Sequence, residues 1–132
     1  MSETLNNCKI VLVILGGAIG WLFGDFDSLI YALLTFVALD YITGVLLAVH
    51  NKKVSSEIGF RGICKKVMIF VLVAVGHVID QYVIGMGSSL RTMLIMFYLS
   101  NEGISILENA GNIGIPIPNG LKNTIQKFSE KE

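Results

Sequence analysis

LDYITGVLLAVHNKKVSSEIGFRGICKKVMIFVLVAVGHVID, residues Leu39 to Asp80, sets two apolar runs either side of a short basic segment. Asn51 to Lys66 carries Lys52, Lys53, Arg61, Lys65 and Lys66 against one acid, Glu57, while Leu29 to Val49 and Val67 to Ile84 are almost uncharged. The pattern reads as a transmembrane hairpin with a basic turn. In a bacterial-type membrane, short loops rich in Lys and Arg stay on the cytoplasmic side. Those five basic residues therefore determine the topology expected of everything around them.

Composition agrees with a bilayer as solvent. Of 132 residues, 53% are hydrophobic and 15% charged, where an average globular chain is about a quarter charged. The apolar residues fall in long blocks, so a soluble four-helix domain would expose apolar surface on every helix. The net charge is zero, with half of the ten basic residues inside the window 51–66. A nucleic-acid patch would need aromatic or helical context in solution; here the cluster is pinned between hydrocarbon-length runs, and no nucleic-acid partner is expected. Cys8 and Cys64 form no spaced cluster with each other or with His, and read as small apolar residues in a reducing compartment. Ile10 to Phe23 lacks a basic n-region and a small-residue cleavage site, so it reads as retained rather than removed.

Outward from the hairpin, Ile10 to Phe23 is uncharged but only fourteen residues, sixteen with Cys8 and Lys9. At about 1.5 Å per residue it falls short of a hydrocarbon core about 30 Å thick. Gly16, Gly20 and Gly24 repeat along one helix face with Gly17 beside them, a bare surface that lets another helix approach; Gly44 offers the same in the second span. Gly24-Asp25-Phe26-Asp27-Ser28 is an acidic turn suited to the outer side, with Ser28 placed to cap the next helix. Within the basic turn, Ser55-Ser56-Glu57 is expected to start a short interfacial helix with Ile58, Phe60 and Ile63 toward lipid. Beyond a second outer turn at Gly85 to Ser89, Arg91, Tyr98, Glu102, Ser105 and Asn109 fall on one stripe of a fourth helix, with Asn101 and Glu108 on its shoulder. Pro116 and Pro118 impose an extended segment. After it, Leu121, Ile125 and Phe128 recur at helical spacing beside Lys122, Lys127 and Lys131, as in an amphipathic helix lying on the cytoplasmic face.

The expected fold is therefore an all-α membrane protein: a bundle of four transmembrane helices, with an interfacial helix in the basic turn and an amphipathic C-terminal tail. Residues 1–110 form the membrane domain, with spans at about 10–24, 29–50, 66–84 and 90–107, and residues 111–132 a cytoplasmic tail. Four spans put both termini in the cytoplasm. If the first stretch does not span, three remain and the N-terminus moves outside.

Asp40, His77, Asp80 and Glu102 lie inside apolar runs, where an ionised side chain costs about 2.5 to 3.5 kcal/mol on insertion scales. Asp40 and Glu102 fall within reach of Lys65 or Lys66, and Asp80 and Arg91 are placed to pair near the outer turn. Such residues either line a water-filled path or an oligomer interface, or glue the bundle as buried pairs or neutral acids. His77 and Asp80, one turn apart, resemble a proton relay but lack further titratable steps. No nucleophile elbow, phosphate-binding glycine loop, HExxH or paired-cysteine motif is present, so neither an enzyme, a metal nor a cofactor is expected.

LDYITG at Leu39 to Gly44, KKVSSEIGFRGICKK at Lys52 to Lys66, the aspartate at Asp80, NEGISILEN at Asn101 to Asn109 and GIPIPNGLK at Gly114 to Lys122 form an ordered series. It resembles the phage holin family that includes the toxin-secretion holins of clostridia, over roughly Leu29 to Phe128. The resemblance implies a small protein of the bacterial cytoplasmic membrane that associates into homo-oligomers and opens lesions, releasing an endolysin or a large toxin and lysing the host, with an antiholin as a further partner. On that basis the Arg91 to Asn109 stripe is expected to face the lumen or the subunit interface, with Asp40 and Asp80 packed against it. A small ion channel or exporter, or an antiholin-like regulator, are the other classes the residues fit.

Overall fold

The computed structural model describes residues 1–130, all helix and connecting turn. The helices are α1 (Ser2–Phe23), α2 (Ser28–His50), α3 (Ser56–Val78), α4 (Ser89–Ile113) and α5 (Asn119–Glu130). A π-helical turn, Ile79–Ile84, continues α3. By length and composition three stretches can cross a membrane: Ser2–Phe23, Ser28–His50 and Ser56–Ile84. At about 1.5 Å per residue each is at least about 30 Å long. The chain is a multi-pass membrane protein.

Four differences from expectation have local causes. The first helix begins at Ser2 rather than Ile10: it continues N-terminally through the polar residues 2–9, which brings it to spanning length. The basic turn holds no separate interfacial helix: Ser55 accepts a bond from Ile58 N and starts a helix that runs unbroken through Lys66 to Val78. Asp27, not Ser28, caps α2, its carboxylate accepting from Ile30 N at 3.0 Å. Fourth, α4 is longer than expected but more polar, and is not among the helices apolar enough to span, since Arg91, Asn101, Glu102 and Glu108 interrupt it.

Packing centres on α4, which touches α2, α3 and α5. Ile30, Leu33 and Val37 of α2, Ile69 and Val73 of α3, and Ile95 and Leu99 of α4 form the core. Gly76 brings α3 onto the start of α4, where a Cβ would lie 2.6 Å from Leu94 Cδ1. Helix α5, expected on the cytoplasmic face, packs along α4: Ile125 is buried against Gly103 and Phe36, and Phe128 joins the core. Helix α1 stands apart with no buried residue; it meets the π turn through Trp21, whose Nε1 donates to Tyr82 Oη at 2.7 Å, and α3 through Phe23 edge-on to Phe70.

Candidate functional site

Two polar clusters interrupt the apolar core, one toward each end of α4. In the one nearer its C-terminal end, named inner as the other is named outer after the topology expected from the basic turn, Lys66 Nζ donates to Asp40 Oδ2 at 2.7 Å and to Glu102 Oε2 at 2.8 Å. One side chain thus ties α2, α3 and α4 together. All three are largely buried, at 16%, 11% and 9% exposure for Lys66, Asp40 and Glu102. Asn109 Nδ2 extends the network, donating to Asp40 Oδ1 at 3.2 Å and to Thr43 Oγ1 at 3.0 Å. A Cβ at Gly44 would meet Asn109 Nδ2 at 3.8 Å, an ordinary contact, so the α2–α4 approach here does not depend on the glycine. A cleft of about 290 Å³ adjoins the cluster, lined by Tyr41, Gly59, Lys53, Ser105 and the Asp40 and Lys66 side chains.

This arrangement follows from helix geometry. Glu102 and Asn109 are seven residues apart and share a face of α4, while Asp40 and Thr43 are three apart on α2. Lys66, about three turns into α3, is the one basic residue of that segment turned inward; Lys65 is exposed. Two carboxylates and one ammonium leave the trio with one formal negative charge if all three ionise.

Toward the outer end, Asp80 is fully buried and both its oxygens accept from the first backbone N–H groups of α4: Leu90 N at 3.1 Å and Arg91 N at 2.9 Å. A carboxylate there satisfies donors that the helix leaves open and complements its dipole. The π turn positions it, Gly85 N closing back on Asp80 O with φ +87° at the glycine. Arg91, 4% exposed, sends its guanidinium away from Asp80. Nη1 bonds Asp27 Oδ2 at 2.9 Å, Nη2 bonds the Asp25 carbonyl at 2.9 Å, and Nε bonds the Phe23 carbonyl. The side-chain pairing expected between Asp80 and Arg91 is therefore replaced by a cap and a clamp, because a guanidinium has five donors in a fork and a turn offers more acceptors than one carboxylate. The hydrogen bonds from Arg91 hold the Asp27 carboxyl below the usual carboxylate range. Gly24, with φ +77°, lies where a Cβ would be 3.0 Å from the His77 ring, so His77 packs under this turn rather than beside Asp80's oxygens.

The stripe predicted on α4 is real as a helix face, and its members meet different surroundings. Arg91, Glu102 and Asn109 bond inside the protomer; Tyr98 packs against the core; Ser105 lines the cleft; Asn101 and Glu108 are exposed. Lys52, Lys53, Arg61 and Lys65 surround the α2–α3 turn, with Arg61 bonded to Glu57 at 2.8 Å on the surface. Gly16, Gly17 and Gly20 have nothing within 4 Å of where a Cβ would stand, so that face of α1 is open. Sequence reading missed Asp27 as Arg91's partner and Thr43 as Asn109's; the signal for Asp27 was its place in the acidic turn opposite the start of α4.

Residues 17–130 match the bacteriophage holin family. An uncharacterized 14.9 kDa protein from Clostridium perfringens is 39% identical over 132 residues, covering all of both chains. An uncharacterized protein of Listeria innocua is 43% identical over 123 residues, 93% of this chain and 87% of the relative. One from Bacillus subtilis is 32% identical over 114 residues, 86% and 84% of the two chains. No solved structure matches. With a family match over most of its length, and helices of spanning length and apolarity, this chain belongs to the bacteriophage holin family and is a holin-like membrane protein.

Proposed function

We propose that the protein acts as a holin of the bacterial cytoplasmic membrane, assembling with further copies of itself into lesions through which an endolysin or a large toxin leaves the cell. The observation that carries this reading is the Asp40–Lys66–Glu102 trio: ionisable groups bridged across helices of spanning length in a member of the holin family. Within a bilayer apolar contacts alone supply little drive for helix association, so polar bridges of this kind hold the bundle together. The same groups are stable when bonded to one another and equally at home in water, which lets a closed protomer become a water-lined one.

In this reading α4 is the fourth crossing, sheltered by α2 and α3, with the basic turn, the N-terminus and the 114–118 connection on the cytoplasmic side. Residues 1–110 supply the membrane body, and helix α5 of the tail that was expected at 111–132 folds back against it. Assembly exposes parts of the Asp40, His77, Asp80 and Arg91 to Asn109 set to the lumen or the subunit interface. The open Gly16 and Gly20 face of α1 serves contact between copies.

The test is inducible expression in a bacterium with and without a cytoplasmic muralytic enzyme, following membrane potential and culture density. Abrupt depolarisation, with lysis only when the enzyme is present, is the expected result. Depolarisation that never releases the enzyme would replace the reading with a small channel, and no effect at all would replace it with an antiholin-like regulator.

A further inference from the structure

Helix α5 rests at a depth where its charges do not suit lipid. Its seat is Gly103, where a Cβ would lie 2.8 Å from Ile125 Cγ2 and 3.2 Å from Phe36 Cε2. Gly103 stands about 21 Å from the Ser89 end of α4 and about 15 Å from the Ile113 end, counting 1.5 Å per residue. Phe36 lies well inside α2, a helix of spanning length. Ile125 is therefore anchored near the middle of the bundle, not at its rim. Phe128 continues past it toward the start of α4, beside a gap lined by Thr92, Met93 and Met96. So α5 returns antiparallel along α4.

Asn123 and Lys127 are each two residues from Ile125, about 200° around the helix, and point away from α4. Both are exposed. Side chains on a helix lean toward its N-terminus, here toward the 114–118 connection. At about 9 to 12 Å along the helix from Asn119, Lys127 is still too deep for its stem to bring the ammonium to the headgroups. Facing lipid it would be strongly disfavoured.

We infer that α5, docked on α4 through Ile125 and Phe128, is a wall of the water-filled path, with its Asn123–Lys127 ridge facing water enclosed between copies of the chain. The lumen then carries a ring of lysines near mid-depth. This rests on the holin reading, and adds to it the element that meets the solvent and the charge it presents.

The experiment uses the full chain with Cys8→Ser and Cys64→Ser, reconstituted in phospholipid vesicles, carrying one cysteine at a time: Lys127→Cys, Asn123→Cys, Ile125→Cys or Phe97→Cys. The probe is a membrane-impermeant quaternary-ammonium methanethiosulfonate. Lys127→Cys and Asn123→Cys are expected to react about a hundredfold faster than Ile125→Cys, which is shielded by docking, and Phe97→Cys, exposed on α4, is expected to be as slow as Ile125→Cys because lipid covers it. Equal reaction at Ile125→Cys and Lys127→Cys would mean α5 is undocked, silence at both ridge positions would mean the ridge faces lipid or protein, and fast reaction at Phe97→Cys would mean that the α4–α5 pair lies outside the bilayer. Each overturns the inference. Vesicles that never conduct count against the holin reading and, with it, the lumen, while in vesicles that conduct the thiol pattern decides where α5 sits.

Discussion

The two polar clusters of this molecule tie helices together by different means. The outer clamp uses one guanidinium against two backbone carbonyls and one carboxylate, and a second carboxylate, Asp80, against backbone N–H groups. Most of its partners are main-chain atoms that cannot change protonation and have no freedom to turn away. The inner trio is made of three long or ionisable side chains meeting end to end. Each of its members can find an alternative partner in water. The outer cluster is thus a fixed joint between the α1–α2 turn and the start of α4, and the inner one a joint that can be reset. In the proposed holin function, a bundle that is stable in lipid and later admits water would draw on both.

The largest expected effect comes from Lys66→Met, which leaves Asp40 and Glu102 buried beside each other with no cation. Breaking a buried pair in this way costs about 3–5 kcal/mol, and the check is a lowered unfolding midpoint of the detergent-solubilised protein. Adding Asp40→Asn and Glu102→Gln to the same chain should recover most of that loss, since the uncompensated charge is then gone. A single Lys66→Met variant as stable as the parent would mean that the trio is not a joint at all. Arg91→Lys is expected to cost less, about 1–3 kcal/mol, because the ammonium keeps the charge but cannot reproduce a planar fork reaching three acceptors. Here the distinguishing readout is limited proteolysis: cleavage in the Gly24 to Asp27 turn should rise while the inner helices stay protected.

How far the sequence reveals this division depends on the kind of partner. The hairpin around the basic turn was legible because apolar length and lysine placement act over many residues, and the Asp40–Lys66–Glu102 meeting was legible in outline because isolated charges in apolar runs require an opposite charge nearby. The choice of Lys66 over Lys65 was not, since it depends on the rotation of α3 once its N-terminus joins the helix at Ser56. Arg91's true partners were hidden because two of the three are carbonyls, which carry no residue identity. The seat of α5 was hidden for another reason: periodicity in Leu121, Ile125 and Phe128 shows that a face is apolar, but whether lipid or Gly103 covers it is decided by a gap in another helix.

Glycines test the fixed joint at a smaller scale. Gly76→Ala would put a Cβ 2.6 Å from Leu94 Cδ1 and 3.3 Å from the Arg91 backbone N, the same N–H that Asp80 caps. Overpacking there is expected to cost about 1 kcal/mol or slightly more. Gly16→Ala, with nothing within 4 Å, should leave the protomer unchanged or slightly more stable, because alanine is the better helix former. Comparing the two midpoints separates close helix approach from a general intolerance of side chains at glycine.

Acid should discriminate between the joints most finely. The hydrogen bonds from Arg91 lower the Asp27 carboxyl from its ordinary 3.8, so on acidification the unfolded chain takes up its proton first. By linkage, the stability from this pair is fully present above pH 3.8 and is lost as the pH falls through the lower folded value. Asp27 is 42% exposed, so solvent screens the pair and the effect is the smallest of the four. Asp27→Asn removes the titrating group while keeping an acceptor for the Ile30 N–H at the cap. Its unfolding midpoint should therefore fall less steeply than the parent's in that acid window, and proteolysis of the Gly24 to Asp27 turn should lose most of its pH dependence there. Identical slopes for the two chains would show that the guanidinium is held by the Phe23 and Asp25 carbonyls alone, which would make the outer joint a purely main-chain device and sharpen its contrast with the inner trio.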